Sequence, residues 1–110
     1  MSAVLGITTP DPIAVKLSTG YSRFHSPAGT MGLAKEQGDR LDILEVESET
    51  PGTGQFKAFI AGRKAQYSTV CVWLDWNPEI GKRLSKWGFR RVTEWQIDEN
   101  VEGWRWDEVA

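Results

Sequence analysis

Apolar and polar residues along the chain change period several times, and each change predicts an element. Leu41-Asp42-Ile43 alternates, and Leu44-Glu45-Val46 alternates again in the opposite phase. The slip sets Ile43 and Leu44 side by side. A strand whose period of two slips by one residue carries a β-bulge, and a central strand apolar on both faces gives the same pair. Further on, Phe56, Phe59, Ile60 and Lys64 recur at the i, i+3, i+4 and i+8 spacing of one helix face. Gly62 weakens that helix near its end. Ser68 to Trp76 is β-branched and aromatic and predicts a buried strand. Asn77-Pro78 then reads as an N-cap followed by a proline at the first helical position. Ile80, Leu84 and Trp87 form the apolar stripe of a helix over 78–87, and Gly88 stands where a helix stops.

The flanks complete the order. Residues 1–12 carry Pro10 and Pro12 and read as a loose arm. Three strand-like segments follow, at Ile13–Leu17, Tyr21–His25 and Thr30–Lys35, with Gly20, Gly29 and Gly38 as turn positions. At the other end Phe89, Arg91, Thr93, Trp95 and Ile97 share one side of an alternating run. Asp98 to Gly103 reads as a turn, and Trp104 and Trp106 share a face of the last strand. The predicted order is β-β-β-β-α-β-α-β-β, a mixed α/β (α+β) domain over 13–110 with two main helices.

Size and charge narrow this picture. A chain of 110 residues holds one small core. Its formal net charge of −2 gives no broad attraction to nucleic acid or to an anionic membrane. No run of about 18 apolar residues is present, so no transmembrane helix is expected. Met1 to Thr9 lacks a basic stretch, which points to a cytoplasmic protein. Cys71, the single cysteine, lies in an apolar run and is expected to be a buried thiol, consistent with a reducing compartment. With one Cys and one His, no zinc site is expected. Of the six Trp residues, Trp73, Trp87, Trp95 and Trp104 are expected in the core. Trp76 and Trp106 are open to a pocket or to a homodimer contact.

Three local features carry chemistry. Pro51-Gly52-Thr53-Gly54-Gln55-Phe56 is a glycine-bearing turn that enters a helix. Such a turn exposes backbone N–H groups at the positive end of the helix dipole, where a phosphate can bind. An ordinary turn reads the same way, and neither a Walker lysine nor the third glycine of a dinucleotide fingerprint follows. Asn77-Pro78-Glu79-Ile80 opens the second helix, and Trp87-Gly88-Phe89 closes it.

Together with the element order, these motifs resemble the GNAT superfamily of N-acetyltransferases over about Tyr21 to Trp106, most closely its compact phage-borne members. The resemblance implies a mostly antiparallel mixed sheet and acetyl-CoA as co-substrate. In the family a bulged strand and a splayed neighbour admit the pantetheine arm, and the slip at Ile43-Leu44 falls where that bulge would lie. Gly52, Thr53, Gly54 and Gln55 would then hold the pyrophosphate, and Val46 and Glu47 would meet the pantetheine through their backbone. Glu47, chosen over Glu45 and Glu49, would be the general base, and Asn77 would orient the thioester. The acceptor implied is an amine on a small molecule or a protein.

Three positions depart from the family pattern. Pro51 replaces the usual Arg or Gln and removes one N–H donor. Phe56 replaces a small residue and is expected to crowd the cofactor. Leu84 replaces the usual acid, a tyrosine, and leaves only the distant Tyr67 and Tyr21. These departures keep a second reading open, a catalytically inactive binding protein of the same fold acting on a host protein or in a virion. For each candidate a plain alternative stands beside the chemical one: ion-paired surface acids for Glu45, Glu47 and Glu49, a simple cap for Asn77, and a surface imidazole for His25. Lys82, Arg83, Lys86, Arg90 and Arg91 read as a solvated helix face, a grip on phosphate or a nucleic-acid contact.

Overall fold

A computed structural model describes residues 20–27, 29–48, 54–73, 78–96 and 98–108. Its strands are β1 (Ser22–His25), β2 (Thr30–Gln37), β3 (Arg40–Ser48), β4 (Thr69–Trp73), β5 (Arg90–Gln96) and β6 (Glu99–Asp107). Helix α1 (Gln55–Gln66) joins β3 to β4, and α2 (Pro78–Lys86) joins β4 to β5. The predicted order from Tyr21 onward is present, and the strand expected at Ile13–Leu17 lies outside the described residues, as does the arm over 1–12. The described strands form one sheet in the order β1-β2-β3-β4-β6-β5. Four neighbouring pairs are antiparallel, and β3–β4 is parallel with α1 as the crossover.

Alternation along the strands sends side chains to two different environments. Leu41, Ile43, Val70 and Val72 join Phe56, Phe59 and Ile60 of α1, Leu84 of α2 and Phe89 in one core. Both helices therefore lie on the same face. Leu44, Cys71, Trp73 and Val101 form a smaller cluster on the opposite face, flanked by Tyr21, Leu33 and Val92. Burial of each large apolar side chain in the helix-covered core contributes about 1.5–3 kcal/mol. Cys71 is fully buried, as expected, and burial pushes its thiol up to about 12.

The end of α2 obeys its sequence. Gly88 takes φ 92, and the N–H groups of Gly88 and Phe89 donate to the carbonyls of Ser85 (3.2 Å) and Leu84 (3.0 Å). This is the paired closure of a Schellman motif, which a glycine makes without steric cost. Lys64, on the core edge of α1, donates to the Trp87 carbonyl and lies over the rings of Phe89 and Trp106. The charge meets the negative end of α2 while its stem covers apolar surface, and burial lowers the pKa of its amine.

Two expectations are corrected. The hairpin turn is shorter than Asp98 to Gly103. Asp98 takes φ 59, β6 begins at Glu99, and Gly103 sits inside that strand. A Cβ on Gly103 would lie 2.5 Å from both the Trp73 ring and the Val72 carbonyl, so the glycine serves close packing rather than a turn. Trp95 is 67% exposed and not in the core. Its side of β5 was read correctly, since Arg91 of the same side pairs with Trp104. It lies at the hairpin tip, where Trp95 faces Asn100, beyond the cover of the helices. The other core tryptophans hold their places, with Trp73 buried and Trp87 and Trp104 packed half-buried against the core, as is Trp106.

Candidate functional site

Three parts of the chain meet at one end of the sheet. The last residues of β3 lie beside the start of β2, where Thr30 pairs with Ser48 and Met31 with Glu47. The Thr30 hydroxyl, fully buried, donates to the Gln55 carbonyl at 3.5 Å in the first turn of α1. Gly29 backs this contact, because a Cβ there would lie 2.6 Å from the Gln55 amide nitrogen. Val46, Glu47, Gly54 and Gln55 are therefore brought to one region. Gly52, Thr53 and Asn77 lie outside the described residues, as do Glu49, Pro51 and Trp76.

The slip at Ile43-Leu44 is a β-bulge. The β2–β3 ladder pairs Leu33 with Glu45 and Ala34 with Ile43, which leaves Leu44 as the extra residue. Both sequence readings of this pair hold at once, since Ile43 and Leu44 are buried in the clusters of opposite faces. After the bulge Val46 returns to the helix-covered face, while Glu45 shares the other face with Leu33. Gly32 permits this arrangement. A Cβ there would lie 1.9 Å from the Glu45 carbonyl, closer than any side chain can come. Among the described residues, pairing of β3 with the parallel β4 runs from Arg40–Thr69 to Ile43–Val72, just ahead of the bulge.

Helix α1 opens without a side-chain cap. Gly54 takes φ 83 and ψ 6, a left-handed conformation that favours glycine, and Ala58 makes the first helical bond to its carbonyl at 3.0 Å. The N–H groups of Gln55, Phe56 and Lys57 lie outside that ladder, and the first turn carries no acid. This end of the helix is electrostatically suited to an anion.

The departures from the family pattern resolve differently. Phe56 does not point at the helix entrance. It is buried in the core with its ring centroid 5.5 Å from that of Trp87, so the expected crowding is corrected. Leu84 is fully buried in the same core and offers no acid. Tyr67 caps the far end of α1, about 18 Å from its start at 1.5 Å per residue, and its hydroxyl donates to Glu36. The Tyr21 hydroxyl is enclosed without a hydrogen-bond partner. Burial, aided by the charge of Asp42, raises its pKa well above the usual phenol range. Among the strand carboxylates, Glu45 has its pKa raised mainly by burial, with the Glu47 charge adding and the Arg23 charge opposing.

The basic run at 82–91 is split by the fold. Lys82 pairs with Glu79 at 3.4 Å on α2. Arg90 turns to Asp107 at 2.9 Å on the helix-free face, while Arg91 lies over Trp104 and 3.6 Å from Glu102. A shallow groove of about 820 Å³ between α2 and the hairpin is lined by Lys82, Arg83, Lys86, Arg91 and Trp104. His25 is exposed at the end of edge strand β1. No group of three or more metal-ligating side chains occurs among the described residues, and no described helix is long and apolar enough to cross a membrane. Compared with known proteins, the chain matches no family model, no curated protein and no solved structure.

Proposed function

We propose that the protein is an acetyl-CoA-dependent N-acyltransferase of the GNAT type, acting on an amine of a small molecule or a protein. The observation that supports this most is the bulge at Leu44, which lies in the strand just ahead of the glycine-capped helix. In this reading the two parallel strands part beyond the bulge and open a slot for a narrow, amide-bearing arm, which β3 backbone groups there hydrogen-bond. In this reading Val46 and Glu47 bind the pantetheine. Gly52, Thr53, Gly54 and Gln55 receive the pyrophosphate at the acid-free start of α1.

Transfer proceeds without a covalent enzyme intermediate. Glu47 takes a proton from the acceptor amine, the amine attacks the thioester carbonyl, and backbone N–H groups stabilise the oxyanion before the thiolate leaves. Asn77 orients the thioester. With Leu84 in the core, the departing thiolate takes its proton from water.

Calorimetric titration with acetyl-CoA and with CoA tests this reading. We expect binding in the micromolar range, lost in Gly54→Trp, because an indole would fill the approach to the first-turn N–H groups. Absence of binding at millimolar ligand would sink it. The buried Leu84 favours one alternative, a protein of this fold that binds a macromolecular partner without transferring an acyl group, and that reading predicts this second outcome.

A further inference from the structure

Strand β5 lies at an open edge of the sheet. Its partner β6 occupies one side, and no described strand pairs with the other. A row of backbone N–H and C=O groups therefore points outward along it, which is a template for a further strand. The opposite edge, β1, spans four residues, whereas β5 spans seven in unbroken register with β6. Neither a proline nor a bulge interrupts β5.

The strand is also uncovered from above. Arg91, Thr93 and Trp95 lie on the side that carries Trp104 in the neighbouring strand, which is the helix-covered side of the sheet. All three are exposed all the same, so the helices stop short of this strand. Charge is ordered along it. Arg90 and Arg91 open the strand, and Glu94 and Trp95 stand in its second half. A parallel copy in register would set arginine against arginine, whereas an antiparallel copy reverses the order. Paired about Thr93, Arg91 meets the partner's Trp95, Val92 meets the partner's Glu94, and Arg90 meets the partner's Gln96. No like charges then stand opposite each other, and Arg90 reaches the partner's Glu94 on the diagonal. The Arg91 guanidinium already lies 5.4 Å from the Trp104 ring centroid. In the pair it stands between two indoles, its own Trp104 and the partner's Trp95, on strands about 4.8 Å to either side.

We propose that β5 is the contact strand of a homodimer, in which two copies pair antiparallel about a two-fold axis at Thr93 and continue the sheet from one chain into the other. The axis is perpendicular to the sheet, so the helices of both chains lie on the same side. The contact is closed, because it uses the same strand of each copy. Two short strands make a smaller contact than a standard interface, which sets the expected affinity in the micromolar range. Strands β4 and β6 separate β5 from β3, so the inference does not depend on the acyltransferase reading.

The test is sedimentation velocity of the full chain over a concentration series. We expect a monomer–dimer equilibrium with a limiting mass of twice the chain. Thr93→Glu, at an exposed position, lines up four acids across the axis, since Thr93 faces Glu102 within each chain, and should weaken the dimer at least about tenfold. Adding unlabelled Thr93→Arg to fluorescently labelled Thr93→Glu should return the labelled chain to the dimer mass. A monomer at all concentrations up to millimolar would overturn the proposal, as would a dimer that Thr93→Glu leaves intact. If that variant does not fold, amide shifts of the unaltered protein on dilution decide the matter alone. They should be largest at Arg90–Gln96, and shifts centred on β1 or on Trp106 would contradict the assignment.

Discussion

On the helix-covered face of the sheet, Ile43, Ile60, Val70 and Leu84 are each at most 1% exposed and pack in one apolar cluster. On the opposite face Asp42 is just as buried, yet it accepts hydrogen bonds from Gln37, Arg40 and the Trp73 indole. From there a chain of charges crosses the strands. Arg40 bridges to Glu94 at 3.0 Å, Glu94 to Arg105 at 3.3 Å, and Arg105 and Arg90 both hold Asp107 at 2.9 Å. The first face is stabilised by volume and area and should tolerate any side chain that fills the space. The second is held by directed bonds among β3, β4, β5 and β6, so it fixes register and should respond to charge more than to size.

Substitutions at one deeply buried position on each face should separate these behaviours. Asp42→Ala leaves the buried Trp73 N–H without its acceptor and Arg40 with Glu94 alone, and should cost about 3–5 kcal/mol in chemical unfolding. Asp42→Asn, nearly equal in volume, should still cost about 2 kcal/mol, because it removes the charge from those bonds. On the helix-covered face, Ile60→Ala should cost about 2–5 kcal/mol, while Ile60→Val, also a small change in volume, should cost about 1 kcal/mol. A reversed order for the two conservative changes would show that the faces are not distinct in kind.

The bulge joins the faces, and Gly32→Ala addresses it. The added methyl would meet the Glu45 carbonyl, so we expect a loss of about 3 kcal/mol together with changed amide shifts at Leu44 and Glu45. A smaller effect concerns pH. Hydrogen bonds from Arg105, with help from Thr69 and Arg90, hold the Asp107 carboxyl well below its usual range. A carboxyl whose pKa is lower in the folded state stabilises the fold above its unfolded pKa, near 4, and that stability is lost as pH falls. Asp107→Asn should therefore flatten the acid limb of the stability curve below about pH 4 and leave Ile60 variants equally pH-dependent. An unchanged limb in urea titrations would remove Asp107 from the network.

Local periodicity made much of this architecture legible. The helix faces of Phe56, Phe59 and Ile60 and of Leu84, the Gly88 stop and the bulge at Leu44 follow from spacing alone, because each is decided by neighbours within a few residues. Asp42 was not legible. In Leu41-Asp42-Ile43 an acid reads as the solvent side of a strand, and its partner Trp73 arrives from 31 residues away. Gly32 and Gly103 read as turn or strand residues of no special role, since only the opposite strand reveals the missing space. Trp95 failed for the same reason, because alternation gives the side of a strand and not how far a helix covers it. Arg90 and Arg91, adjacent in sequence, part to opposite faces by the same alternation. In the candidate site, the glycine start of α1 and the strand carrying Val46 and Glu47 were legible from motif and slip. The buried Thr30 that ties them together was not, since its role depends on contact with Gln55 across 25 residues.

The most direct measurement is the amide shift footprint of CoA on the labelled protein. The account predicts that the largest changes fall on Val46–Ser48 at the end of β3 and on Gly54–Lys57 at the start of α1, with Lys82–Lys86 little moved. Shifts centred on the α2 groove, with β3 beyond the bulge unaffected, would contradict it.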